Sequence, residues 1–424
     1  MELLRLATAG SVDDGKSTLV GRLLYDSKSV LVDQLAAVER ASRDRGLEQA
    51  DLALLTDGLR AEREQGITID VAYRYFATPR RRFVLADTPG HVQYTRNMVS
   101  GASNAELIVV LVDARSGVLE QTRRHLAVAA LLRVPQVVLV VNKMDLVDYS
   151  QAAFDEVDRA ARACAAGLGV EEITAAIPIS ALRGDNVVDR SRSMPWYQGP
   201  SLLELLETVP VAPRPTLEPA RFPVQYVLRP QTDTHRDYRG YAGQMASGIL
   251  RAGDPVRILP SGHVSSVAGV DRLDETGVDV AVAGQSVTLR LTDHFDVARG
   301  DLIVAAEERA PHVGQDLLAT VCWLSDRPLR NRARILVKHM TRVVPAVVGE
   351  VVDRLDLATL VPGGHPESLE ANEIGRVRLR TATPLAFDTY AENRHTGCFL
   401  LIDAQDGTTI GAGMLSAPSD HAAV

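Results

Sequence analysis

Apolar and polar positions follow two different rhythms along this chain. Up to about residue 209, short and nearly continuous apolar runs alternate with stretches of helical periodicity. Leu3 to Ala9, Phe83 to Ala86, Leu107 to Val112 and Val137 to Val141 read as strands buried on both faces. Ser17 to Leu24, Gly117 to Arg133 and Ala152 to Gly167 read as helices between them. Such alternation predicts an α/β domain with a mostly parallel, doubly wound sheet, whose ligands collect at the carboxyl ends of the strands. The loops that open there follow Ala9, Ala86 and Val141.

The rhythm changes after Pro210-Val211-Ala212-Pro213-Arg214-Pro215, where three prolines in six residues favour an extended connector. Beyond it, β-branched segments such as Phe222 to Val227, Val256 to Leu259, Ser286 to Leu291 and Ile335 to Val337 recur between Gly, Pro, Asp and Asn. This pattern predicts all-β barrels or sandwiches. A break near Ala306 to Val313 would divide the region, giving an α/β domain at 1–209 and two β-barrel domains at 210–306 and 307–424. At 424 residues the chain exceeds a single core, which stops growing near about 250 to 300 residues.

Composition narrows the classes. With 46% hydrophobic and 24% charged residues the chain reads as globular and soluble. No run approaches the roughly 18 apolar residues of a membrane span, and the N-terminus lacks a signal segment, so a cytoplasmic protein without a membrane partner is expected. Cys164, Cys322 and Cys398 have no CxxC spacing and are expected to be buried thiols. The net charge of −8 is spread evenly, with 22 basic against 26 acidic residues from 211 onward and 24 against 28 before it. Without a cationic half, nucleic acid is disfavoured as the main partner.

Gly10-Ser11-Val12-Asp13-Asp14-Gly15-Lys16-Ser17-Thr18 matches GxxxxGK[ST] between a predicted strand and a predicted helix. Glycines let the backbone wrap a phosphate chain with N–H groups inward, and the helix N-terminus adds partial positive charge. Lys16 is placed to reach the β- and γ-phosphates and Ser17 to ligate Mg2+. The chain holds only Lys16, Lys28, Lys143 and Lys338 among 46 basic residues, yet two of the four fall in nucleotide motifs, where a compact ammonium is not replaced by a planar guanidinium.

Asp87-Thr88-Pro89-Gly90-His91 follows the strand ending at Ala86, so Asp87 can hold Mg2+, and Gly90 can offer its N–H to the γ-phosphate. Asn142-Lys143-Met144-Asp145 follows the next strand but one. A carboxylate at Asp145 accepts from the N1–H and 2-amino group of guanine, which adenine lacks. Ser180-Ala181-Leu182 would supply a backbone N–H to guanine O6. Within Glu64 to Asp70, Thr68 can ligate Mg2+ in the triphosphate state only, making that stretch a switch. His91 can orient the attacking water, the alternative being a solvent-facing loop histidine. GTP and Mg2+ are therefore the expected ligands.

These motifs resemble the translational GTPase superfamily. Within it, Glu64 to Phe76, Asp87 with Tyr94-Thr95-Arg96-Asn97-Met98, and Gln121-Thr122-Arg123-Arg124-His125 resemble the GTPase subunit of bacterial sulfate adenylyltransferase. Elongation factors usually carry histidine where Ser11 or Asp14 stands, and arginine at Gln65. Met194 to Pro200 is shared with elongation factors of the archaeal and eukaryotic kind. Asp237 to Gly243, Gly397 to Asp403 and Gly411 to Met414 resemble the family's barrel domains, leaving Ala306 to Pro366 as the weakest stretch.

The resemblance implies a heterodimer in which an ATP-sulfurylase small subunit makes adenylyl sulfate and pyrophosphate from ATP and sulfate, driven by GTP hydrolysis on this chain. A second GxxxxGK[ST], which a fused adenylyl sulfate kinase would carry, does not occur. The competing reading is an elongation-factor-like GTPase that delivers aminoacyl-tRNA.

Overall fold

The computed structural model describes the chain except residues 1, 28–35, 37, 39, 41, 44–51, 56–70, 91–93, 171, 211–215, 231–237, 273–274, 357–358, 360 and 418–424. Two compact units emerge, one covering Met1–Ala212 with Asp356–Val361, the other Pro213–Leu355 with Pro362–Val424.

The first unit is built on a six-stranded sheet. Its strands are β1 (Leu3–Ala9), β2 (Ala72–Ala77), β3 (Arg82–Asp87), β4 (Leu107–Asp113), β5 (Gln136–Asn142) and β6 (Ala175–Pro178), in the order β2-β3-β1-β4-β5-β6. All neighbours run parallel except β2, which pairs antiparallel with β3. Helices α1 (Lys16–Asp26), α2 (Thr95–Ala102), α3 (Glu120–Leu131), α4 (Gln151–Gly167) and α5 (Leu202–Thr208) belong to the same unit.

β4 is buried at every position, as its unbroken apolar run requires. One face packs Leu107, Val109 and Leu111 with Leu19, Val20 and Leu23 of α1 and Leu202 and Leu206 of α5. α3 starts at Glu120 rather than Gly117 because Gly117 is left-handed, with φ 63°, and Leu119 is extended. Edge strand β2 alternates exposed and covered positions, so it carried no continuous apolar run to betray it.

The second unit holds two closed six-stranded barrels. In the first, Pro255–Leu259, Leu302–Ala305, Arg221–Leu228, Gly240–Gln244, Ser286–Leu291 and Val264–Arg272 pair in turn, and the last pairs back onto the first. In the second, Arg334–His339, Cys398–Ile402, Thr409–Leu415, His312–Trp323, Ile374–Phe387 and Arg342–Leu355 close in the same way. Closure removes free sheet edges, which explains how short strands with one apolar face suffice. Cys322 is buried and Cys164 half-buried, but Cys398 occupies an outward position of its strand and is exposed, so the buried-thiol expectation fails there.

The barrels are joined by a buried ion pair. Arg221 donates from Nε and an η-nitrogen to the two carboxylate oxygens of Asp388, both at 2.9 Å, with side chains 1% and 3% exposed. Thr396 Oγ1 also donates to Asp388 at 2.7 Å, and Asn393 Nδ2 to Ser247 Oγ at 3.0 Å. Leu259, Leu302 and Val304 of one barrel pack with Ala386 of the other.

Removing one partner of such a pair strands a buried charge. We expect Asp388→Leu to destabilise the chain by about 3–5 kcal/mol, and Arg221→Met with Asp388→Leu to recover most of that, measured by denaturant titration. Additive losses in the double variant would refute the coupling. Burial alone would raise the Asp388 carboxyl, yet Arg221 and Thr396 hold it below its ordinary 3.8. Its contribution is therefore full above pH 3.8 and fades as pH falls through the lower folded-state value.

Candidate functional site

Parallel strands bring their carboxyl ends to one edge of the sheet, and the motif segments leave from there. Thr8 lies beside Asp87, Asp113 beside Asn142 and Val141 beside Pro178 in the strand register. The loop from Gly10 passes through left-handed Asp13 (φ 68°) and Gly15 (φ 90°) before α1 begins at Lys16. Asp14 Oδ2 accepts the Ser11 N–H across this turn. Lys16 is buried and reaches back, donating from Nζ to Gly10 O at 2.7 Å and Ser11 O at 2.9 Å. Burial lowers the Lys16 ammonium against the pull of Asp87, Asp14 and Asp13, and burial raises the Asp14 carboxyl.

Asp87 is buried at the end of β3 and accepts from Thr8 Oγ1 at 2.8 Å, while Thr88 Oγ1 donates to Thr8 O at 2.5 Å. Gly90 lies directly on the phosphate loop: a Cβ there would meet Gly10 O at 2.4 Å and Lys16 Nζ at 2.5 Å. Gln121 Nε2 of α3 donates to Gly90 O at 2.8 Å from the other side and stands 3.3 Å from His125 Nε2.

Asn142 ties three segments together. Its Nδ2 donates to Asp14 O at 2.7 Å and its Oδ1 accepts the Ala181 N–H at 3.0 Å. The Ser180 N–H in turn donates to Asp185 O at 3.2 Å. Lys143 is left-handed, with φ 63°, and its Nζ sits 3.0 Å from Asp113 Oδ2. Burial would raise Asp113, but Arg115 and Lys143 outweigh it and hold the carboxyl at about 2. Asp145 follows, half-buried, in the 3-10 turn Met144–Val147.

The structure thus brings Gly10 through Thr18, Asp87 through Gly90, Asn142 through Asp145 and Ser180 through Leu182 to one edge of one sheet. Thr68 and His91, with the rest of Glu64 to Asp70, lie outside the described residues.

Several supports had no motif to announce them. Arg22 of α1 donates to Ala181 O at 3.2 Å and Leu182 O at 2.6 Å, bracing the turn after β6. Trp196 Nε1 donates to Tyr149 O at 3.0 Å and Tyr149 Oη to Asp185 at 3.0 Å. Trp196 thereby holds Tyr149, which links the segment after Asp145 to Asp185 beyond the Ser180–Leu182 turn. Gln121 and His125 stood out in sequence only through resemblance. Their spacing of four on a helix was the local signal that they share a face.

The model of the elongation factor Tu GTP-binding domain matches residues 1–212, and that of the GTP-eEF1A C-terminal domain-like family matches 316–416. The bifunctional enzyme CysN/CysC of Mycobacterium tuberculosis is 54% identical over 97% of this chain and 67% of its own length. Sulfate adenylyltransferase subunit 1 of Bacteroides fragilis is 49% identical, and that of Cellvibrio japonicus 46%, each over 98% of this chain and 86% of its own length. With a GTP-binding domain of the elongation-factor type and relatives this similar along nearly its whole length, the chain belongs to the sulfate adenylyltransferase subunit 1 family of translational GTPases.

Proposed function

We propose that this chain hydrolyses GTP to drive the formation of adenylyl sulfate and pyrophosphate from ATP and sulfate by a cytoplasmic ATP-sulfurylase small subunit. The observation that carries the nucleotide part is the Asn142 side chain, which joins the phosphate loop to the Ser180–Leu182 turn through one donor and one acceptor bond. The sulfate part is carried by likeness to sulfate adenylyltransferase subunit 1 over 98% of the chain. The boundaries 1–209, 210–306 and 307–424 are part of the same proposal.

In this reading the loop from Gly10 to Thr18 wraps the phosphates with Val12, Asp13 and Asp14 at its crest. Lys16 exchanges its two loop carbonyls for phosphate oxygens. Asp145 reads the guanine N1–H and 2-amino group, Asn142 and Lys143 hold that loop, and a backbone N–H of Ser180, Ala181 or Leu182 meets O6. Pro89 and Thr88 fix the approach of Gly90, whose N–H meets the γ-phosphate, and His91 orients water.

Ser17, Thr68 and Asp87 would hold Mg2+. Among the described residues no cluster of three His, Cys, Asp or Glu side chains is built for a metal. A magnesium ion held by two hydroxyls, one carboxylate and substrate phosphates needs none, and the buried Asp87 carboxylate beside Lys16 suits that donor set. When bound, the ion would neutralise negative charge on the phosphates.

Adenylyl sulfate formation is uphill, so a GTPase can drive it only by alternating between states that bind the partner's ligands differently. A tRNA-delivering reading shares the elongation-factor match over residues 1–212. GTP-dependent retention of charged tRNA on a filter would favour it.

Co-expression with a small subunit is expected to give pyrophosphate release from ATP and sulfate that requires GTP. Lys16→Ala should lower GTP turnover and that stimulation by on the order of a hundredfold or more. Release that ignores GTP, or normal turnover in Lys16→Ala, would overturn the proposal. Asp145→Asn loses charged hydrogen bonds to guanine, so the preference for GTP over xanthosine triphosphate should narrow by at least roughly tenfold in a competition assay. An unchanged preference would remove Asp145 from the base site.

A further inference from the structure

Helix α3 carries two polar side chains that the nucleotide motifs do not use. Gln121 reaches the Gly90 carbonyl, and His125, one turn further on, contacts the same Gln121 amide nitrogen. His125 is 1% exposed, and its Nδ1 has no partner among the described residues.

The hydrogen-bond roles follow by elimination. A carbonyl only accepts, so the Gln121 atom facing Gly90 O must be its NH2. The second hydrogen on that nitrogen is left for His125 Nε2, which must then accept, and the ring proton resides on Nδ1. Burial, aided by the charges of Lys16 and Arg124, pushes the imidazole down to about 3, so the ring is neutral and can play this part. A leucine would fill the same space without a buried N–H lacking an acceptor. Packing alone therefore does not account for a histidine here, whereas its Nε2 lone pair does.

Gly90 is held from both sides. A Cβ would collide with Gly10 O and Lys16 Nζ, and its carbonyl is turned to Gln121. A carbonyl turned toward Gln121 is not turned toward phosphate, whose negative charge it would repel.

We infer that Gln121 and His125 are positioning residues of the GTPase site, His125 orienting Gln121 and Gln121 fixing the Gly90 carbonyl against the phosphate loop. The inference rests on the GTP-hydrolysing reading above. Its effect belongs to the hydrolytic step, since a diphosphate does not use the γ-phosphate contact of Gly90, while the transition state depends on placement to a fraction of an ångström.

The test compares Gln121→Leu, His125→Leu and His125→Gln in the full chain, with Lys16→Ala as control. Single-turnover GTP hydrolysis, GDP affinity by displacement of a fluorescent analogue, and melting temperature are read together. Gln121→Leu and His125→Leu should each slow hydrolysis about tenfold while GDP affinity stays within about threefold. His125→Gln restores an acceptor and should recover most of the rate. Wild-type hydrolysis in both leucine variants would overturn the inference. So would a loss of GDP and GTP binding that simply tracks a lower melting temperature. Normal GTP turnover in Lys16→Ala would instead sink the GTPase reading itself.

Discussion

The carboxamide of Asn142 is the joint on which the motif-bearing edge of the sheet depends. Three loops leave three different strands, and only a group that both donates and accepts can tie the outer two to the middle one. Asn142 does so with Asp14 O and the Ala181 N–H. An aspartate of the same shape would accept from Ala181 but repel the Asp14 carbonyl. The joint also dictates its neighbour: a Cβ on Gly15 would lie 2.5 Å from Asn142 Nδ2, and the left-handed φ of 90° there favours glycine independently.

Around that joint, charge is packed more tightly than water would allow. Lys16, Asp14 and Asp87 are all buried within electrostatic reach of one another, and burial shifts Lys16 down and Asp14 up toward their neutral forms. Asp113 resolves the same conflict differently, through two cationic partners, Arg115 and Lys143. Lys143 thus acts inside the protein, steadying the loop that presents Asp145. A site of this kind holds its charges in fixed directions before any ligand arrives, which is what electrostatic preorganisation requires.

What was legible from sequence was whatever has a local or periodic signature. β4 and β5 could be read because both of their faces are buried, and the phosphate loop because glycine, lysine and hydroxyl must stand at fixed intervals along one turn. β2 escaped because an edge strand with one exposed face, including Tyr75 at 74% exposure, presents no apolar run. The start of α3 was misjudged by one turn because Gly117 and Leu119 adopt non-helical backbone angles that composition does not reveal. Arg221 and Asp388 are 167 positions apart. Neither announces the other, because a buried ion pair is a property of the folded surfaces that meet and not of any window of chain. Gln121 lies between these extremes: its helix was foreseen, but its target, a carbonyl 31 positions earlier, was not.

Barrel closure has a consequence for how the molecule behaves at high concentration. The two six-stranded rings pair each of their strands on both sides, so the edges left open in that unit among the described residues belong to short added strands such as Glu275–Val278 and Pro362–Gly363. In the first unit the sheet ends on β6, only four residues long and finished by Pro178, and on β2, six residues long with Tyr73 and Tyr75 facing outward. Among these sheet-forming strands, β2 is therefore where unwanted self-association would begin, and a lysine at Tyr75 is the substitution most suited to a soluble preparation.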